Sequence, residues 1–150
     1  MPQSHTCLHI HLIFSTRNRA PLITDGVRDD LHSYMATVLQ NLNCTPLRIN
    51  SVEDHAHLLF NLARTATVSK AVEDTKKASS KWIKTQGSEF DPFSWQSGYG
   101  AFAVSESNLD NVRQYIIDQR EHHRKKTFQE EYRQFLQRHQ IDYDERYVWD

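Results

Sequence analysis

From Thr6 to Ser15 apolar and polar positions alternate, with Leu8, Ile10, Leu12 and Phe14 on one side and Cys7, His9, His11 and Ile13 on the other. Period two is the mark of a β-strand with two distinct faces. Thr16-Arg17-Asn18-Arg19-Ala20-Pro21 is a polar, proline-bearing loop. Val27, Leu31, Tyr34, Val38 and Leu42 then recur near helical spacing behind Thr24 as N-cap, with Asn43 as the stop. Two extended runs, 45–52 and 55–62, flank Glu53-Asp54 and read as a hairpin. A second helix is predicted over 68–85, with Val68, Ala71, Val72, Ala78 and Trp82 as its stripe. Residues 93–104 are β-like and carry aromatics around Gly98-Tyr99-Gly100. A third helix starts near Ser107 or Asn108 and buries Leu109, Val112 and Ile116. Thr127-Phe128-Gln129-Glu130 is a capping box for a fourth, with Phe128, Tyr132, Phe135 and Leu136 inward.

The order β-α-β-β-α-β followed by helices predicts an α+β, ferredoxin-like antiparallel sheet with helices on one face plus C-terminal helices. The other sheet face is expected to be free. At 150 residues the chain is long enough for one well-formed core, and 1–150 reads as a single domain. Asp142, Asp144, Glu145 and Asp150 make 140–150 an acidic C-terminal tail.

Charge changes the picture less than its distribution does. With 18 Lys+Arg against 19 Asp+Glu the formal net charge is −1, which excludes a protein that coats nucleic acid by bulk charge. Local basic clusters remain. Lys76, Lys77, Lys81 and Lys84 form an acid-free run, of which Lys77, Lys81 and Lys84 share a helix face; Arg120, Arg124, Lys125 and Lys126 surround His122 and His123; Arg17 and Arg19 lie in the first loop. Each cluster alone is an ordinary solvated surface. Together, set apart from the acidic tail, they suit a surface that follows phosphates. Trp95 and Tyr99 read as core aromatics first and base-stacking groups second. Apolar runs such as Leu58-Leu59-Phe60 are far short of the roughly 18–20 residues of a membrane span. Met1-Pro2-Gln3-Ser4-His5 lacks the basic and apolar regions of a secretory signal, and Cys7 and Cys44 form neither a disulfide framework nor a zinc-ligand set. The expectation is a cytoplasmic protein with two reduced thiols.

Nine histidines are scattered along the chain, and four of them form the His-x-His pairs His9/His11 and His55/His57. On a strand, residues i and i+2 share a face and lie close enough to chelate one cation. At this histidine content roughly half a pair arises by chance, so a lone pair is weak. His9/His11 reads as strand histidines at the sheet surface or under a helix. His55/His57 share a face with Glu53, opposite Asp54, Ala56, Leu58 and Phe60, and both a metal site and a plain sheet pair stay open there. On the third helix Asn108, Asn111, Tyr115, Gln119 and His122 recur at steps of three or four. Asn108 and Asn111 suit a solvated face, whereas Tyr115 and Gln119 project to one spot. A phenol, with a free pKa of about 10, is a poor nucleophile near neutrality. A divalent metal polarising a phosphate lifts much of that handicap, and a glutamine carbonyl oxygen is a hard ligand suited to magnesium or manganese.

Four segments, in order, carry a resemblance. His11-Leu12-Ile13-Phe14-Ser15-Thr16-Arg17-Asn18-Arg19, Glu53-Asp54-His55-Ala56-His57-Leu58-Leu59, Trp95-Gln96-Ser97-Gly98-Tyr99 and Val112-Arg113-Gln114-Tyr115-Ile116-Ile117-Asp118-Gln119 together resemble the HUH endonucleases. The match is to the single-tyrosine transposases of the insertion-sequence 200/605 group and their repeat-associated relatives. The resemblance implies a magnesium or manganese ion held by His55 and His57 with Gln119 as third ligand. It makes Tyr115 the nucleophile that attacks single-stranded DNA, forming a 5′-phosphotyrosine and releasing a 3′-OH. It also implies recognition of a DNA hairpin near the element end, and a homodimer. Ala56 departs from the bulky apolar residue usual between the two histidines, and since it faces away from them the departure bears on packing. The basic groups Arg17, Arg19, Lys77, Lys81, Lys84, Arg120, His122, Arg124 and Lys125 are the expected nucleic-acid contacts. Two rivals stand beside this reading. A non-catalytic single-stranded nucleic-acid-binding module would not need Tyr115, His55 and His57 together. A zinc hydrolase would pair the histidines with Glu53 and activate water.

Overall fold

The computed structural model describes residues 2–150. Its elements are β1 (His9–Ser15), α1 (Asp25–Asn41), β2 (Thr45–Ser51), β3 (His55–Asn61), α2 (Val68–Ile83), β4 (Gly100–Val104), α3 (Leu109–Ile117), α4 (Gln119–His122) and α5 (Phe128–Arg138). The strands form one antiparallel sheet in the order β2-β3-β1-β4. That order, with α1 and α2 as the crossovers, is the ferredoxin-like arrangement that the alternation of elements predicts.

Period two gives the sheet its two faces. Leu12 and Phe14 of β1 and Ala56, Leu58 and Phe60 of β3 join Leu31, Met35 and Leu39 of α1 and Ala71, Val72 and Ile83 of α2 in the main core. The opposite face is covered, contrary to the expectation of a free one. Leu59 packs under Leu109 and Ile116 of α3, and Ile13 and Phe102 pack under Phe128, Tyr132, Phe135 and Leu136 of α5. Each of those four α5 side chains is buried, a gross contribution of roughly 1.5–3 kcal/mol apiece. Thr127 caps α5 as expected, its hydroxyl accepting the Glu130 N–H at 3.2 Å. Gly100 is where α5 meets β4, since a Cβ there would stand 2.6 Å from the Tyr132 ring. The acidic tail folds back on this layer, with Tyr143, Val148 and Trp149 against the α5 cluster and the Asp150 carbonyl accepting the Gly98 N–H at 2.8 Å.

Several local expectations shift. Only Gly100–Val104 of the β-like stretch joins the sheet, apart from a single Thr16–Trp95 bridge. Lys76 explains part of this, because its amine donates to the carbonyls of Gln96, Ser97 and Gly98 at 2.8, 3.3 and 2.6 Å and so occupies a run of acceptors that a strand partner would need. The buried stripe of α2 is Ala71, Val72, Thr75, Ser79 and Ile83, while Ala78 and Trp82 sit on its flank, Trp82 stacked on Tyr34. Ser79 belongs inside because its hydroxyl accepts the Trp95 indole N–H at 2.9 Å, which also settles Trp95 in the core. The third predicted helix breaks at Asp118 into α3 and α4. Among the described residues no helix is long and apolar enough to cross a membrane.

Candidate active site

β3 lies between β2 and β1 and beneath the α3–α5 layer, so both of its histidines are wholly buried. Each is held by its Nδ1 side. His55 Nδ1 is 2.7 Å from Asp54 Oδ1, and His57 Nδ1 is 2.8 Å from His11 Nε2. The Nε2 atoms therefore turn toward one point, occupied by the Glu131 carboxylate from α5: Oε1 is 3.0 Å from His57 Nε2 and 3.4 Å from His55 Nε2. Glu131 Oε2 accepts the Tyr115 hydroxyl proton. His123, in the turn after α4, brings its Nε2 to 3.5 Å from the same Glu131 oxygen. His55, His57, His123 and Glu131 form a compact cluster of metal-binding type.

The electrostatics follow from burial and crowding. Burial would raise Glu131, but the imidazoles of His57, His123 and His55 hold it well below the usual carboxylate range. At His57 burial wins and lowers the pKa, which favours the neutral imidazole that metal ligation requires. At His55 burial is outweighed by the Asp54 hydrogen bond and the nearby Glu131 carboxylate, and the pKa is raised. Burial first, and then the Glu131 charge, push the Tyr115 phenol far above its ordinary value. In this arrangement the phenol rests protonated.

The donor set fits a divalent cation. His55 Nε2 is buried and has no hydrogen-bond partner among the described residues, although Asp54 fixes the other side of its ring. Outer hydrogen bonds of this kind on both histidines aim ligand atoms at a metal. Gln119 is buried, but its side-chain oxygen bonds His123 Nε2 at 3.1 Å and reaches the cluster through that residue. Its amide N–H donates to the Tyr115 carbonyl at 3.3 Å, which keeps the i, i+4 pair together across the Asp118 break. Glu53 is not at the site. It lies in the turn, exposed, 3.4 Å from the Arg28 guanidinium, and Asp54 is the acid that meets His55.

The expected basic contacts fall into separate regions. Arg19, Arg124 and Lys125 line a groove of about 590 Å³ that ends at Asp54 and His123, beside the histidine cluster. Asn18 and Arg19 hold left-handed backbone at φ 56° and 57°, a strain of roughly 1 kcal/mol or more per residue that shapes the loop bringing Arg19 to this groove. Lys77, Lys81 and Lys84 line a second groove of about 640 Å³, with Trp95 and half-exposed Tyr99. His122 stacks on the Tyr115 ring at 4.3 Å. Arg120 pairs with Asp25 at 3.0 Å, and Arg17 is exposed outside both grooves.

A ferredoxin-like sheet offering two buried histidines to a tyrosine on its covering layer matches a known class. Residues 4–119 match the family described as "Transposase IS200 like". The chain belongs to that family, the single-tyrosine HUH group, and so to the proteins of DNA transposition. Two solved structures share the fold. A crystal structure from Deinococcus radiodurans r1 assigned as a transposase aligns with TM-score 0.61 and 22% identity over 79% of this chain and 98% of its own. A REP-associated tyrosine transposase bound to a REP hairpin aligns with TM-score 0.61 and 15% identity over 82% of this chain and 74% of its own. No curated protein matches the chain significantly.

Proposed function

We propose that the protein cleaves and rejoins single-stranded DNA through Tyr115. The observation that carries this is the convergence of the Tyr115 hydroxyl and the Nε2 atoms of His55 and His57 on one carboxylate, Glu131. A pure binding module has no need of that buried cluster, and the zinc-hydrolase reading loses Glu53 to Arg28.

Tyr115 Oη attacks the scissile phosphorus, the new O–P bond makes a 5′-phosphotyrosine, and the P–O3′ bond breaks to release a 3′-OH. The phenol proton, hydrogen-bonded to Glu131 Oε2 in the resting site, leaves as the O–P bond forms and is delivered to the departing 3′ oxygen, Glu131 holding and orienting the hydroxyl. A magnesium or manganese ion on His55 and His57, with the Gln119 or Glu131 side chain supplying oxygen, would polarise the phosphate and offset the charge that opposes the phenolate. Because the phosphotyrosine keeps the energy of the phosphodiester, a later 3′-OH attack reseals DNA without ATP. His122 holds the Tyr115 ring by stacking, so positioning is built into the fold. Arg19, Arg124 and Lys125 lead phosphates to the site, and Lys77, Lys81 and Lys84 track them along the second groove with Tyr99 as a stacking surface. Arg17 and Arg120 extend the basic surface. A hairpin-bearing single strand is the inferred substrate, supported by the REP hairpin bound to the structural relative. A homodimer is the inferred assembly.

Hairpin-bearing single-stranded DNA incubated with the protein and magnesium or manganese should give a covalent adduct on a denaturing gel. Tyr115→Phe should abolish it. An adduct that survives this substitution, or cutting without any adduct, overturns the mechanism.

A further inference from the structure

A second group of metal-ligating atoms lies at the other end of β1 and is not used by the chemistry above. Cys7 Sγ is 3.4 Å from His9 Nε2 and 3.7 Å from Glu106 Oε2, and those last two atoms are 2.5 Å apart. His9 pairs with Asn61 across the sheet whereas Ser15 pairs with His55, so six strand residues, about 20 Å, separate this group from His55.

The three atoms do not make a nucleophile relay. In a relay the acid would hold one ring nitrogen of His9 and the thiol would meet the other. Here Cys7 and Glu106 both approach Nε2, while Nδ1 faces the Asn61 side-chain amide at 3.3 Å. Cys7, His9 and Glu106 instead bring three metal-ligating atoms of different kinds within 4.8 Å of one another. Tetrahedral zinc with Zn–S near 2.3 Å and Zn–N or Zn–O near 2.0–2.1 Å sets its ligand atoms about 3.3–3.6 Å apart. The two contacts of Cys7 are already close to that spacing. Only the His9–Glu106 contact must open, by roughly 1 Å, and the Glu106 side chain is 73% exposed and free to do so. Asn61 can turn its carbonyl oxygen to His9 Nδ1–H, the outer hydrogen bond that leaves Nε2 as ligand. A thiolate in the set selects zinc over the hard cations suited to the oxygen donors near Tyr115.

The geometry points to a zinc site formed by Cys7, His9 and Glu106 that clamps the turn leading into the Tyr115 helix onto the start of β1. Glu106 opens the short 3₁₀ turn Glu106–Asn108 immediately before α3, so a metal held there joins two segments far apart in sequence. Water fills the fourth position.

Cobalt(II) added to the full-length reduced protein tests this by the thiolate-to-metal charge-transfer band in the near ultraviolet. The band should appear in the wild type, persist in Cys44→Ser and in His57→Ala, and vanish in Cys7→Ser, a substitution at an exposed position outside the core clusters. Zinc should displace the cobalt, and Asn61→Ala should weaken zinc about tenfold. Zinc should also slow amide exchange over residues 105–109 in the wild type and not in Cys7→Ser. Absence of the band in the wild type, its survival in Cys7→Ser, or unchanged exchange on zinc addition would overturn the proposal.

Discussion

An acid on the inner face of a helix is expensive to bury without partners. Glu131 lies there because two strand histidines, His123 and the Tyr115 hydroxyl supply them. Glu131→Gln keeps the shape and removes the charge and the basicity. It should slow adduct formation by about 10²-fold, the order expected when a reacting group loses its positioning, in single-turnover assays. Adduct formation at the wild-type rate would exclude Glu131 from orienting the Tyr115 hydroxyl. The signal for this residue was present in the sequence, since position 131 falls three after Phe128 and four before Phe135, inside the apolar stripe. It is hidden by Glu130, which the capping box claims, because an acidic pair in a first helical turn is ordinary. Spacing put His55 with His57 on one strand face and Tyr115 with Gln119 on one helix face, while the metal and nucleophile roles came from the family resemblance. Asp54 was not legible, since strict alternation placed it on the wrong face, and it reaches His55 because residue 54 lies in the turn rather than the strand.

At the scale of elements, alternation and helical spacing located the strands and both crossovers, although the sheet is covered on both faces and the buried stripe of α1 runs through Met35 and Leu39 rather than Tyr34 and Val38. They failed where polar groups replace regular pairing. The Asp118 break has no proline or glycine to announce it, and the Lys76 amine takes carbonyls that composition cannot assign. Two junctions give direct tests. Gly100→Ala drives a methyl into Tyr132 and should destabilise the protein by roughly 1–3 kcal/mol in urea unfolding, with α5 the element displaced. An unchanged midpoint would show that α5 shifts freely. His32 of α1, 2.7 Å from the Ser51 hydroxyl, is pulled down by burial to about 4. A histidine whose folded pKa lies below its unfolded value of about 6.5 contributes stability above that value and loses it as pH falls toward 4. The wild type should therefore lose about 2 kcal/mol more than His32→Gln between pH 7 and pH 5, read from denaturant midpoints.

Across the whole molecule a net charge of −1 coexists with two basic grooves, because acids gather in the tail and in surface pairs such as Glu73–Lys77. Binding to single-stranded DNA should weaken with salt. Arg124→Ala with Lys125→Ala should lower the log–log slope by about 0.7 for each lost phosphate contact, measured by fluorescence anisotropy on a hairpin strand. An unchanged slope would remove that groove from the interface.

The bond between His11 and His57 has one further consequence. Burial and His57 hold His11 well below 6.5, so its ring is neutral at physiological pH and exists as one of two tautomers. When His57 Nε2 is a ligand its Nδ1 must carry the proton and donate it in a hydrogen bond, so His11 Nε2 must be the unprotonated acceptor. Nitrogen-15 magnetic resonance of His11 would thus register occupancy of the neighbouring site from inside the sheet, with no probe attached to DNA or metal.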